Sequence, residues 1–115
     1  MPIVIVSGVP DDRQDRLWNL HDAIQRAILA IPELELKRKQ QVKVEFPEDK
    51  LNRTGLNIEI SVKFILFETP VRTNDVINRA SVAIGTEIQA RYPDACIDIR
   101  PIPLDLNRGR WHSSV

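Results

Sequence analysis

The sequence predicts an α+β domain built as a tandem β-α-β repeat, with a four-stranded mixed sheet and both helices on one face. Three observations predict it. Two apolar stripes at helical spacing, Leu17-Leu20-Ile24-Ile28 and Ile77-Ala80-Ile84-Ile88, stand sixty positions apart. Each follows a β-branched segment and is closed by a proline, Pro32 or Pro93. Each is then followed by a further alternating or β-branched segment. The 115 residues suit one domain with a core of its own. Its pseudo-repeats run over about 1–55 and 56–104, with a tail over 105–115.

The first strand, Pro2-Ile3-Val4-Ile5-Val6-Ser7, starts almost at the first residue and stops at Gly8. Asp11 is placed to cap the first helix, with Gln14 three residues on. The stripe on that helix continues through Ile31 to Pro32. A basic connection, Lys37-Arg38-Lys39-Gln40-Gln41, enters a second strand in which Val42 and Val44 alternate with Lys43 and Glu45. A charged loop over 47–55 separates the halves. The third strand, 56–67, alternates and then turns wholly apolar. Thr73 can cap the second helix. Cys96-Ile97-Asp98-Ile99 forms the fourth strand, which Pro101 and Pro103 are expected to cut short.

Composition excludes several function classes. Sixteen Lys+Arg balance sixteen Asp+Glu, leaving no basic excess to attract nucleic acid or an anionic membrane. Six aromatic residues are too few for a base-stacking platform. The longest apolar run, Ala27 to Ile31, is far too short to span a bilayer. No secretory signal opens the chain, and the lone Cys96, expected in the core, cannot form an internal disulfide; the expected location is cytoplasmic. Dinucleotide, P-loop, HExxH, CxxC and GxSxG motifs are absent, and His21 and His112 stand far apart without nearby ligands. Neither a metal nor a cofactor is expected.

The candidate chemistry begins at Pro2. If Met1 is removed, Pro2 is a secondary amine fixed at the head of a buried strand. An α-amino group titrates near 7.7–8.0, roughly, and an apolar pocket or a neighbouring cation lowers that further. Such an amine can take a proton as general base and return it as general acid.

The opening Pro2-Ile3-Val4-Ile5-Val6, the length and the doubled β-α-β pattern resemble the tautomerase superfamily, whose members use an amino-terminal proline. The tail Asn107-Arg108-Gly109-Arg110 with Ser113 is similar to tails of the inhibitory-factor and decarboxylase groups. Lys43 lies where 4-oxalocrotonate tautomerase carries a carboxylate-binding arginine. Val71-Arg72-Thr73 resembles the carboxylate-binding segment of the dehalogenase and decarboxylase groups. The resemblance implies a homotrimer with sites near subunit interfaces and a tautomerase or isomerase acting on a small 2-oxo or enol carboxylic acid. Pro2 would be catalytic, with Arg72 and Lys43 binding substrate and Lys37 and Arg38 within reach.

The residues by themselves agree in part. Arg72 precedes the Thr73 cap, so its guanidinium and the helix-end N–H groups can converge on a carboxylate; equally, it is an ordinary helix-flanking arginine. Lys43 points away from whatever Val42 and Val44 bury. The Tyr and Asn of the inhibitory-factor group's last main strand are replaced by Ile97 and Ile99, and 37–40, which matches the decarboxylase group's acidic segment, holds no carboxylate to activate water. Simple tautomerisation is therefore the economical activity. Two other readings share the pattern: a tautomerase-like scaffold without catalysis, and a ferredoxin-like βαββαβ small-molecule-binding regulatory domain with an antiparallel sheet.

Overall fold

A computed structural model of the chain describes residues 2–10, 13–47 and 59–105. The elements are β1 (Ile3–Ser7), α1 (Gln14–Leu29), β2 (Lys43–Glu45), β3 (Glu59–Phe67), α2 (Asn74–Arg91) and β4 (Cys96–Leu104), with short 3-10 turns at Pro32–Leu34 and Lys39–Gln41. The sheet order is β2-β1-β3-β4. Each helix returns the chain to a parallel neighbour, β1 to β2 and β3 to β4, and the two halves join through antiparallel β1 and β3. A ferredoxin-like sheet would be antiparallel throughout. The two parallel ladders rule out that alternative, and the tandem β-α-β architecture stands.

Alternation decides which face carries the helices. Ile60, Val62, Phe64 and Leu66 on β3 are buried, as are Val4 and Val6 on β1. They pack with Leu20, Ile24 and Ile28 of α1 and Ala80, Ile84 and Ile88 of α2 in one core. At roughly 1.5–3 kcal/mol per fully buried large apolar side chain, this layer dominates the stabilisation. Leu17, expected in the stripe, is half-buried. On α2 the stripe runs Val76-Ala80-Ile84-Ile88, so Val76 takes the buried place expected for Ile77, which is half-buried. The Thr73 hydroxyl accepts from the Val76 N–H at 3.4 Å, as its cap position predicts. Arg13 takes the cap position of α1 without a side-chain capping bond, and Asp11 lies outside the described residues, as do 48–58 and the tail from 106.

Two expectations about β4 are corrected. The strand runs nine residues, through Pro101 and Pro103, in parallel register with all of β3. Proline is tolerated because β4 is an edge strand. The Leu104 carbonyl points to β3, where the Glu68 N–H donates to it at 2.8 Å. By alternation the nitrogens of positions 101 and 103 face the open edge, where no ladder bond is lost. Cys96 is exposed rather than in the core, because Ile97, its neighbour, takes the helix-facing side.

Among the described residues the opposite sheet face carries no helix. Half-buried Ile3, Ile5, Ile65, Phe67 and Ile102 lie towards the end where β1 begins, and exposed Ser61, Lys63, Asp98 and Arg100 towards the other. Gly8 leaves β1 with φ of 86°, and a Cβ there would stand 2.2 Å from the Glu59 carbonyl oxygen, so only glycine allows this crossing. No helix among the described residues is long and apolar enough to cross a membrane.

Candidate active site

Several of the candidate residues lie at the sheet end at which β1 begins. Pro2 is buried, and its carbonyl accepts from the Lys43 N–H at 3.0 Å, tying the head of β1 to the start of β2. On the other side Ile3 pairs with Ile65. Extending that register by one pair sets Pro2 beside Leu66, next to Phe67. The Phe67 carbonyl accepts from Arg72 Nη1 at 2.9 Å. A second arm, Arg72 Nη2, donates to the Leu34 carbonyl at 3.2 Å.

Arg72 therefore bridges the end of β3 and the 3-10 turn that follows α1. Its own backbone closes a tight turn, with its N–H donating to the Thr69 carbonyl at 3.0 Å. Partial burial pulls the guanidinium pKa down from its ordinary value, and the Glu35 carboxylate pushes it back up. It stays charged at neutral pH, as arginine does. The 3-10 turn is held from the far side by an ion pair between Arg79 of α2 and Glu33.

A cavity of about 270 Å³ opens at this position, lined by Leu34, Glu35, Leu36, Gln41, Thr69 and Arg72. Arg72 and Thr69 also border a neighbouring cleft that reaches Asn74 in the first turn of α2. Gln41 Oε1 is already engaged, accepting from the Lys37 N–H at 2.7 Å and the Arg38 N–H at 3.0 Å. Behind this connection the buried Gln25 donates through Nε2 to the carbonyls of Val42 at 3.0 Å and Lys39 at 3.2 Å. Glu35 adopts the left-handed conformation, φ 56°. The segment 37–40 lacks a carboxylate, as its sequence says, but Glu35 supplies one to the cavity two residues earlier.

Pro2 and Arg72 thus come to one end of the sheet. Lys43 starts β2 there too, yet its side chain is exposed on the uncovered sheet face and its Nζ lies 3.0 Å from Glu45 Oε1. Lys37 and Arg38 are exposed on the connection and do not line the cavity. Glu35, Thr69 and Gln41 are the lining groups that sequence reasoning missed. The signal for Gln25 was readable, since an amide stands beside Ile24 within an otherwise apolar stripe. Loop conformation, which places the other three, leaves no such periodic trace. His21 is a helix-boundary residue: its Nδ1 donates to Asp22 at 3.0 Å and its ring meets Trp18 edge-on at 4.9 Å. Among the described residues no cluster of His, Cys, Asp and Glu could hold a metal ion.

No family model matches the chain, and no curated protein sequence does. Solved structures match strongly. A domain of unknown function, DUF1904, from Sebaldella termitidis superposes with a TM-score of 0.67 at 17% identity, covering 100% of this chain and 98% of that one. A fused 4-OT wild-type symmetric trimer gives a TM-score of 0.67 at 16% identity, covering 90% and 87%. The fold is tautomerase-like. Pt0534, crystallised after inactivation by 2-oxo-3-pentynoate, shares the tautomerase-like fold with a TM-score of 0.67 at 16% identity over 94% and 90% of the two chains.

Proposed function

We propose that this chain is a cofactor-independent tautomerase acting on a small 2-oxo or enol carboxylic acid, with Pro2 as the proton carrier. The observation that carries the reading is the burial of Pro2 at the same end of the sheet as the Arg72 cavity. With Met1 removed, the Pro2 nitrogen is a secondary amine whose buried position favours its neutral form. It accepts the enol hydroxyl proton while the substrate carboxylate rests on Arg72. It then returns a proton to the carbon α to the new carbonyl, so no redox equivalent or water is consumed. The Arg72 charge also stabilises the enolate between the two transfers. Lys37, Arg38 and Lys43 reach a ligand only from a neighbouring subunit in this reading.

The fused 4-OT neighbours are trimers. We extend that assembly to this chain, because among the described residues the helix-free sheet face is apolar towards the start of β1 and both sheet edges are open. Light scattering is expected to give three times the mass of the chain.

The deciding experiment uses the inhibitor of Pt0534. Incubation of untagged protein with 2-oxo-3-pentynoate, followed by peptide mass spectrometry, is expected to place an adduct of the whole inhibitor acid on Pro2. The amine adds to the alkyne carbon conjugated with the ketone, so no leaving group departs. The Pro2→Ala protein should ketonise an enol acid far more slowly, by about 10²-fold or more. Retained Met1, or modification elsewhere with Pro2 untouched, refutes the assignment and leaves the non-catalytic scaffold.

A further inference from the structure

The Arg72 cavity is not a plain anion site. A site shaped only for a carboxylate would present donors alone, yet Glu35 lines the same cavity and its charge acts on Arg72. Glu35 sits there in the left-handed conformation, φ 56°, which costs a residue other than glycine or asparagine about 1 kcal/mol or more. The remaining polar groups divide cleanly. Arg72 keeps N–H groups beyond the two spent on Phe67 and Leu34. The Gln41 carbonyl oxygen is filled by two backbone N–H groups, which turns its amide NH₂ into the free end. Thr69 adds a hydroxyl, and the one full acceptor charge in the lining is Glu35.

Building on the reading of Arg72 as carboxylate binder, we propose that the cavity selects acids bearing a hydroxyl group, as hydrogen-bond donor, close to the carboxylate. The carboxylate goes to Arg72 and the Gln41 amide, and the donor to Glu35. Glu35 has a second effect of opposite sign: its negative charge opposes an acid that brings no donor. The selectivity is therefore double, with attraction for the hydroxy acid and repulsion of its deoxy analogue.

The test compares 2-hydroxybutanoate with butanoate, which differ by that hydroxyl, titrated into ¹⁵N-labelled full-length protein while the amide shifts of Leu36, Gln41 and Thr69 are followed. Wild type is expected to bind the hydroxy acid about five- to tenfold more tightly, the range a hydrogen bond to a part-solvated carboxylate gives. Glu35→Gly relieves the positive φ, so folding is not the obstacle. It should bring the two affinities within about twofold, with butanoate binding tightened rather than weakened. Glu35→Gln keeps the length and an acceptor, and should fall between. Equal affinities in wild type, with shifts at these residues, overturn the selectivity and leave Arg72 as the anion binder. No shifts at these residues with either acid overturn both.

Discussion

Arg72 is asked to do two things, and its structural duty is the easier to weigh. Replacing it with alanine removes two hydrogen bonds from a charged donor to the carbonyls of Phe67 and Leu34. Such bonds contribute about 1.5–3 kcal/mol each when buried. Arg72 is only partly buried, so both sit at the low end, and water can reach part of the freed carbonyls. A net loss of about 2 kcal/mol follows. In a 115-residue domain that lowers Tm by about 8 °C. Arg72→Lys should lose about half as much, because one ammonium reaches one carbonyl and cannot fork. Urea melts of the three proteins measure this directly. A loss below about 0.5 kcal/mol for Arg72→Ala would mean that the bridge between β3 and the 3-10 turn contributes nothing net. The same measurement protects the functional reading, since activity lost through unfolding is separated from activity lost through an unbound carboxylate.

Three other outcomes follow from particular contacts. Gly8→Ala should cost about 2–4 kcal/mol by urea melt, because its Cβ meets the Glu59 carbonyl oxygen at 2.2 Å in a positive-φ residue; a loss under 1 kcal/mol, roughly, contradicts that crossing. Gln25→Leu should cost about 1–3 kcal/mol by leaving the Val42 and Lys39 carbonyls without their donor, and the amide shift of Gln41 should move with it; an unchanged melt refutes the clamp. The Asp22 carboxyl is held below its ordinary value first by the hydrogen bond from His21 and further by the charges of His21, Lys39 and Arg26. Its contribution to stability is full above the ordinary carboxylate pKa and is lost as pH falls through the depressed folded value. ¹³C titration of Asp22 should show that low midpoint and its return towards about 3.9 in His21→Ala; an unmoved midpoint removes His21 as the cause.

What the sequence made legible was what repeats. Alternation in 59–67, the two stripes sixty positions apart and the Thr73 cap are local patterns that the folded chain obeys. The parallel pairing was not legible in element order, which β-α-β doublets share with ferredoxin-like sheets; only the direct parallel pairing of β1 with β2 and of β3 with β4 separates them. The prolines of β4 were read correctly as hostile to a central strand, but an edge position removes the conflict. At the site, Pro2 and Arg72 were visible because each occupies a special place in an element, the head of a strand and the residue before a cap. Glu35 was not, because its position depends on one left-handed residue after a 3-10 turn.

The doubled architecture also bears on the proposed site, which the second repeat does not reproduce in its sequence. Its near-symmetry creates two comparable sheet ends, one where β1 starts and one where β3 starts. At the helical offset of sixty, Arg72 corresponds to Asp12, and Glu35 to Ala95. The equivalent positions of the second repeat therefore hold no cation, and their one carboxylate stands in the place of Arg72, not of Glu35. The second end also lies inside the chain, where the backbone nitrogen is an amide and cannot serve as a base near neutral pH. There the helices meet instead through Arg91, which donates to Asn19 at 2.7 and 2.9 Å and pairs with Glu87 at 3.0 Å. Catalysis by an amino-terminal proline, as proposed, can use only the first copy of a duplicated unit, which leaves the polar groups at the second end free to join α1 to α2.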